Sequence, residues 1–412
     1  MSLVNLFTED GMLEKDANSP ALGTSTRLIH GSDDPMSRDG FVNPAVYHAS
    51  TVLFPDVHTM RTRGQKYTYG LRGTPTTTAL ETALDELEGS AGTILLPSGL
   101  AAATFPLLAF LSSGDHVLIV DSVYSPTRHF ANTVLRRMGV IVEYFDPAAE
   151  AGLAALMRPE TKVVFLEAPG SNTFEMMDIR AAADTAHAGG AVVMIDNTWA
   201  TPLLFRPLEH GVDLSIHALT KYPGGHSDVM MGSVSANAAT FGRLRDTQMA
   251  IGVNAAPDDT YLVLRGLKTM AVRLQRHEAS ALQLAEWLET RPEVARVLHP
   301  ALPSFPGHDL WKRQFDGASG LFSFVLRGGG LPEASAFLDT LKLFGLGYSW
   351  GGFESLALMV DLSDRIHAKA PTEGPVIRLQ IGLEDVADLQ ADLERGFAAL
   401  SALGAGPDDP AP

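Results

Sequence analysis

Short apolar runs alternate with helix-compatible stretches through the first half of the chain. The runs are Thr93–Leu96, Val117–Val120, Val140–Phe145, Val163–Leu166, Ala191–Ile195 and Leu214–Ile216. They are near-continuous in valine, isoleucine and leucine, whereas a strand with one wet face alternates apolar and polar residues. Segments such as Pro126–Met138 and Ile179–Ala188 separate them and suit helices. Buried strands alternating with helices predict a mostly parallel sheet covered on both faces, an α/β fold.

Other signals set the boundaries. Thr78-Ala79-Leu80-Glu81 reads as a capping box, with Leu80, Ala83, Leu84 and Leu87 following at helical spacing and Gly89 as the stop. A long helix, about Thr269–Glu289, is expected after Gly266. Beyond it the pattern turns strand-rich α+β, with runs at Gly320–Leu326, Leu356–Val360 and Val376–Ile381 and a last helix near Val386–Leu400. The expected divisions are an N-terminal segment 1–76, a large α/β domain 77–267, a smaller C-terminal α+β domain 268–402 and a disordered tail 403–412. Residues 1–20 are polar and unpatterned.

Composition narrows the function classes. With 31 basic against 48 acidic residues the net charge is -17, which opposes nonspecific binding to nucleic acid or anionic membranes. There is no cysteine, and so no disulfide, thiolate nucleophile or cysteine metal site. Residues 1–10 lack the basic and apolar regions of a signal peptide, and no apolar run approaches the ~20 residues of a membrane span. A soluble cytoplasmic protein is the expectation.

Two residues suggest the chemistry. Asp196 ends the run Ala191–Ile195, where open α/β sheets bind ligands, although a loop or cap acid reads the same way. Lys221 follows one segment later, in the turn Thr220-Lys221-Tyr222-Pro223-Gly224-Gly225 after the run at 214–216. It is either a surface lysine or a reactive one. An acid at a strand mouth with a lysine on the next strand's loop suits pyridoxal 5'-phosphate (PLP). The lysine can form a Schiff base with the aldehyde, and the acid can keep the pyridine nitrogen protonated.

Other candidates fit the same ligand. Ser98, Gly99 and Leu100 open an apolar helix after Thr93–Leu96, where backbone N–H groups can cradle a phosphate. Thr220 can add a hydroxyl, and Tyr69 and Arg72 add polar and cationic groups from a Gly/Pro-rich segment. Tyr124, just past Val117–Val120, can stack on a planar ring. Arg378 lies inside an apolar run and needs an anionic partner, either a substrate carboxylate or a structural acid such as Glu384 or Asp385. A nucleotide-binding alternative lacks support, since no Gly-x-Gly-x-x-Gly follows the first strand and no Gly-Lys-Ser/Thr loop occurs.

These residues resemble those of the Cys/Met-metabolism, or trans-sulfuration, PLP-dependent enzymes, most closely the cystathionine β-lyase group. The resemblance runs from about Thr26 to Leu400. Its pieces are 69–76, 97–102, Asp196-Asn197-Thr198-Trp199, Thr220-Lys221-Tyr222 with 225–228, 347–355, and Ile377-Arg378-Leu379 with 381–385. It implies the fold-type I, aspartate aminotransferase-like architecture and a homotetramer with active sites shared within a dimer. The segment carrying Tyr69 would then reach the neighbour's cofactor phosphate. It further implies Lys221 as the cofactor lysine, Asp196 as the pyridine acid and Tyr124 as the stacking tyrosine. Gly99 and Leu100 become phosphate donors, Arg378 the carboxylate arginine, and Ser349 its neighbour.

Departures from the family pattern are specific. Leu71 stands where relatives often carry the phosphate arginine, leaving that role to Arg72, and Ala218 stands where many have serine. Relatives that work at the γ-carbon commonly read Glu-Ser-Leu before Gly-Gly; here the segment is Tyr348-Ser349-Trp350. That pattern resembles β-lyases. The implied reaction is β-elimination on L-cystathionine, giving homocysteine, pyruvate and ammonia. The rivals are γ-elimination or γ-replacement in the same family and a noncatalytic PLP-binding protein.

Overall fold

The structure, a computed structural model, describes residues 22–30, 35–148 and 152–404. The polar segment 1–20 and nearly all of the tail expected to be disordered lie outside these residues. The apolar runs form the strands β1 (Gly92–Leu96), β2 (His116–Val120), β3 (Ile141–Phe145), β4 (Thr161–Glu167), β5 (Val192–Asp196) and β6 (Leu214–Ala218). A further strand, β7 (Gly232–Ala236), completes a seven-stranded sheet in the order β1-β7-β6-β5-β4-β2-β3. β7 runs antiparallel to both its neighbours, and every other pairing is parallel.

β7 was not visible in the sequence because Gly-Ser-Val-Ser-Ala has no apolar run. Its serines are nonetheless buried, and the Ser235 hydroxyl meets that of Thr93 at 2.7 Å. Small polar side chains replace the usual aliphatic filling, with Ser235 satisfied by Thr93 and the Ser233 hydroxyl buried without a partner.

The helix expected from Thr78 starts earlier, at Pro75, and ends at Glu88 with Gly89 in the left-handed region. Its capping box is Thr74 with Thr77, not Thr78 with Glu81. Proline has no N–H to satisfy and its fixed φ suits the first turn, which moves the start to residue 75. The long helix is Pro257–Glu289, so Gly266 and the division expected near 267 both fall inside it. The expected helix at 126–138 is Ser125–Phe130 followed by a π-helical turn, Ala131–Leu135.

Beyond the long helix lies the second sheet, with β8 (Val294–Leu298), β9 (Leu321–Leu326), β10 (Gly345–Leu346), β11 (Leu356–Met359) and β12 (Val376–Gln380). Its order is β10-β11-β12-β9-β8, antiparallel except for the β10–β11 pair. The helices Leu331–Thr340 and Val386–Gly404 pack against it around Phe324, Phe337 and Phe397, whose ring centroids lie 5.0–6.1 Å apart. No described helix is long and apolar enough to cross a membrane.

A carboxylate joins the two sheets' surroundings. Buried Asp121, just after β2, accepts from the backbone N–H groups of Ile366, His367 and Ala368 at 2.6–2.9 Å. Its other oxygen accepts from Arg128 at 2.6 Å. Arg365 reaches Glu175 at 2.7 Å and the Ser171 carbonyl at 2.5 Å. The 365–368 loop is thereby fastened to the loops at the carboxyl ends of β2 and β4.

Burial pushes the Asp121 carboxyl up, but Arg128 and the His367 and Ala368 N–H groups outweigh it and hold the group below its ordinary value. Replacing Asp121 with Ala should lower stability by about 3 kcal/mol, because buried donors lose their acceptor. A group with a depressed folded pKa stabilises above its unfolded value and loses that effect as pH falls. The melting-temperature gap between wild type and Asp121→Ala should therefore be full at neutral pH and shrink below about pH 4.

Candidate active site

The turn after β6 presents Lys221. Its N–H donates to the Ala218 carbonyl at 3.1 Å, while Gly224 and Gly225 donate to Leu219 and Lys221, both at 2.8 Å. The turn rests on the long helix at Gly266, where a Cβ would come within 2.2 Å of the Pro223 carbonyl oxygen. Buried Arg273, on the same helix, donates to the carbonyls of Tyr222 at 2.8 Å and Gly266 at 2.9 Å. The Tyr222 hydroxyl accepts from the Gly320 N–H at 2.9 Å. The turn that carries the lysine is thus tied down on both sides.

The Lys221 amine donates to the Ser349 hydroxyl at 2.7 Å and lies 5.1 Å from the Trp350 ring centroid. Ser349 has φ +78°, a left-handed conformation that costs a non-glycine residue roughly 1–3 kcal/mol. Its carbonyl accepts from Arg378 at 3.3 Å, so one residue touches both cations. The other Arg378 nitrogen donates to Asn172 Oδ1 at 3.1 Å. Among the described residues no carboxylate pairs with Arg378. Of the two acids considered for that role, Glu384 accepts from the Ser355 N–H and hydroxyl, and Asp385 lies 3.6 Å from Arg276. Arg378 therefore has a guanidinium held by neutral acceptors.

Electrostatics follow from this packing. Burial, reinforced by the Arg378 charge and opposed by Asp196, lowers the Lys221 amine to about 8. Burial lowers the Arg378 guanidinium to about 10. Asp196 closes β5, and its Oδ1 accepts from the Thr198 N–H at 3.0 Å and hydroxyl at 2.5 Å. Burial raises its carboxyl above the ordinary value despite those bonds.

Tyr124 follows β2, and burial, with the Asp196 and Glu167 charges, raises its phenol. Its N–H donates to Glu167 Oε2 at 2.7 Å. Glu167 and Asp196 are directly paired across β4 and β5. Burial first, then the Asp196 charge, push the Glu167 carboxyl well above its ordinary value.

Sequence reasoning passed over Glu167 and Asn172. Glu167 carried the same signal as Asp196, an acid directly after an apolar run. Asn172 carried none beyond a turn composition. It sits at φ +65°, and its carbonyl accepts from Ser323 at 2.7 Å.

The remaining expected residues divide. Ser98 caps the helix Gly99–Phe110, accepting from the Ala101 N–H at 3.0 Å. The Gly99 and Leu100 N–H groups have no acceptor within the helix. Gly99 faces Ala218, and a Cβ on it would sit 2.4 Å from the Ala218 methyl. The Thr220 hydroxyl is engaged with Met231, accepting from its N–H at 3.1 Å and donating to its carbonyl at 3.2 Å. Tyr69 and Arg72 are exposed and make no hydrogen bond to the Lys221 group; Tyr69 pairs with Thr51 in an isolated bridge. Tyr348 is 93% exposed and makes none either.

A family model for the Cys/Met metabolism PLP-dependent enzymes matches residues 25–398. The chain belongs to this family. A Rhizobium johnstonii protein provisionally named cystathionine β-lyase is 64% identical over 397 residues, covering 95% of this chain and all of that one. The cystathionine β-lyase MetC of Escherichia coli is 44% identical over 388 residues, covering 91% and 98%. The crystal structure of metB from Corynebacterium glutamicum is 34% identical, with a TM-score of 0.85 over 93% of this chain and 98% of that one. The fold-type I architecture stands on that likeness and on the seven-stranded sheet.

PLP fits what the chain presents. Free N–H donors at a helix start, a lysine amine with lowered proton affinity and a carboxyl at the next strand end are complementary to its phosphate, aldehyde and pyridine nitrogen.

In the cofactor-free protein only the neutral amine reacts with an aldehyde, so labelling of Lys221 should rise with a midpoint of about 8. Arg378→Met should move the midpoint up, and Asp196→Asn should move it down. Peptide mapping after borohydride reduction across a pH series reads both shifts.

Proposed function

We propose that the protein catalyses β-elimination on L-cystathionine, releasing homocysteine, pyruvate and ammonia. The observation that carries this reading is Ser349, bonded at once to the Lys221 amine and the Arg378 guanidinium. That pair suits an α-amino acid, whose carboxylate and Cα proton need a cation and a base close together. The cystathionine β-lyases at 43–44% identity support the choice of substrate.

In this reading Lys221 would hold the cofactor and Asp196 would serve its pyridine nitrogen. Ser98, Gly99, Leu100 and Thr220 would hold the phosphate, and Tyr124 would cover the ring. Bound PLP supplies an electron sink for negative charge at the substrate Cα. Arg378 exchanges its neutral acceptors for the substrate carboxylate in a two-pronged grip. Lys221, its proton affinity lowered to about 8, takes the Cα proton and returns one to the departing sulfur. Ser349 keeps the amine aimed between those positions. Trp350, its ring 5.5 Å from that of Tyr222, walls the side of the cleft where relatives acting at the γ-carbon commonly carry leucine.

Self-association belongs to the same proposal. Phe41, Val42 and Leu53 are 71–84% exposed on the segment leading to Tyr69, more apolar surface than a short stretch of a monomer usually shows. We place this segment on a neighbouring subunit of a homotetramer, where Tyr69 and Arg72 would complete the phosphate site.

Lys221→Ala should cut pyruvate formation at least about a thousandfold. With wild type the keto acid formed from cystathionine should be pyruvate; 2-oxobutyrate would turn the assignment to γ-elimination. Mixing Lys221→Ala with Arg72→Ala protein, after subunit exchange, should restore about a quarter of wild-type sites, since one site of each mixed dimer is intact. No recovery would place Arg72 outside a shared site.

A further inference from the structure

We propose that Glu167 is a positioning residue for Tyr124: standing beside Asp196 at the end of β4, its carboxyl holds the Tyr124 N–H and thereby fixes the aromatic ring over the site. The inference rests on the PLP reading above and adds a residue that reading does not use.

Tyr124 needs such an anchor. It stands at the turn between β2 and the helix Ser125–Phe130, with φ -49° and ψ 125°, and its side chain makes no cap bond to that helix. Its carbonyl accepts from the Thr127 and Arg128 N–H groups of that helix at 2.9 and 3.1 Å, which leaves its N–H as the backbone group that can tie it to another element. Glu167 takes that N–H at 2.7 Å. A second bond runs parallel to it, from the Ser171 N–H to the Ser122 carbonyl at 2.8 Å. The loops leaving β2 and β4 are therefore laced together, and the same β4 loop continues to Asn172, which holds Arg378. Moving Glu167 would disturb the ring and, one turn further on, the guanidinium.

The charged and titratable groups facing Glu167 are Asp196 from β5, Tyr124 from the β2 loop, Glu175 from its own loop and Arg365 from the 365–368 loop. Burial first, with Asp196 and Glu175 against Arg365 and the Tyr124 N–H, favours a neutral carboxyl. A neutral carboxyl can hold an N–H without adding a second anion beside Asp196. Glutamine has the same length and acceptor and no charge, so it can fill the position; alanine cannot.

The test is carried out on the PLP-loaded protein without substrate, reading the visible circular dichroism of the bound cofactor, and then on turnover. Glu167→Ala should lose more than about half of the dichroic band and about tenfold in kcat, with KM changed much less. Glu167→Gln should recover most of both. The effects of Glu167→Ala and Tyr124→Ala should fail to add, so that the double variant matches Tyr124→Ala within about twofold. Additive losses, equal losses in the Ala and Gln variants, or a wild-type band in Glu167→Ala would each overturn the proposal. The dichroism is read before any reaction. A protein that binds PLP but leaves cystathionine intact would fail the functional reading while still answering this one.

Discussion

Two cations, Lys221 and Arg378, share one cleft, and neither is bonded to a carboxylate. Each is buried enough to lower its proton affinity, and Arg378 further depresses the lysine. An arrangement of this kind is unfavourable for folding, because buried charge without an opposite partner costs several kcal/mol. The protein tolerates it by supplying neutral acceptors, the Ser349 hydroxyl and carbonyl and the Asn172 amide oxygen. Neutral acceptors are weaker than a carboxylate, so an arriving anion can displace them. The cleft is poised for anionic ligands because the chain has not neutralised it.

The large sheet was legible because its strands are buried on both faces and read as unbroken apolar runs. β7 was not, since its buried side chains include small serines rather than an apolar run, and the partner of Ser235, Thr93, lies 142 residues away in sequence. The helix starting at Pro75 shows a different limit. Two threonine-led caps were available within one turn, and only the proline's position decides between them. Within the site, Lys221, Asp196, Tyr124 and Arg378 were found because each is a polar residue where the pattern calls for an apolar or loop residue. Asn172 was not found because its role depends on Ser323 and Arg378 arriving from the second sheet. Tyr69 and Arg72 are legible as polar and cationic groups of a Gly/Pro-rich segment and Tyr348 through family resemblance, and within a single chain none of the three bonds to the Lys221 group.

The cleft walls have different origins. One side consists of strand ends of the large sheet, where Glu167 and Asp196 are fixed by register. The other is β12 and the 349–351 segment. The Asp121 bonds and the Arg365–Glu175 pair fasten these sides at one edge. The long helix fastens them at the other.

That helix sets a length. It carries Gly266 under the lysine turn and His277 under the second sheet, where His277 Nδ1 lies 2.7 Å from the Ile381 carbonyl oxygen and its ring 5.4 Å from that of Tyr222. Roughly 16 Å of rigid helix thus separates the two supports. As a strut the helix supports both sides of the cleft from below, while within the cleft Ser349, bonded to both groups, bridges amine and guanidinium. A base and a cation held this close serve the Cα proton and carboxylate common to α-amino acids. Discrimination among amino acids must then come from the rim, where the Tyr348 side chain is 93% exposed. A lineage built on this frame can exchange one sulfur compound for another at the rim and leave the strut untouched.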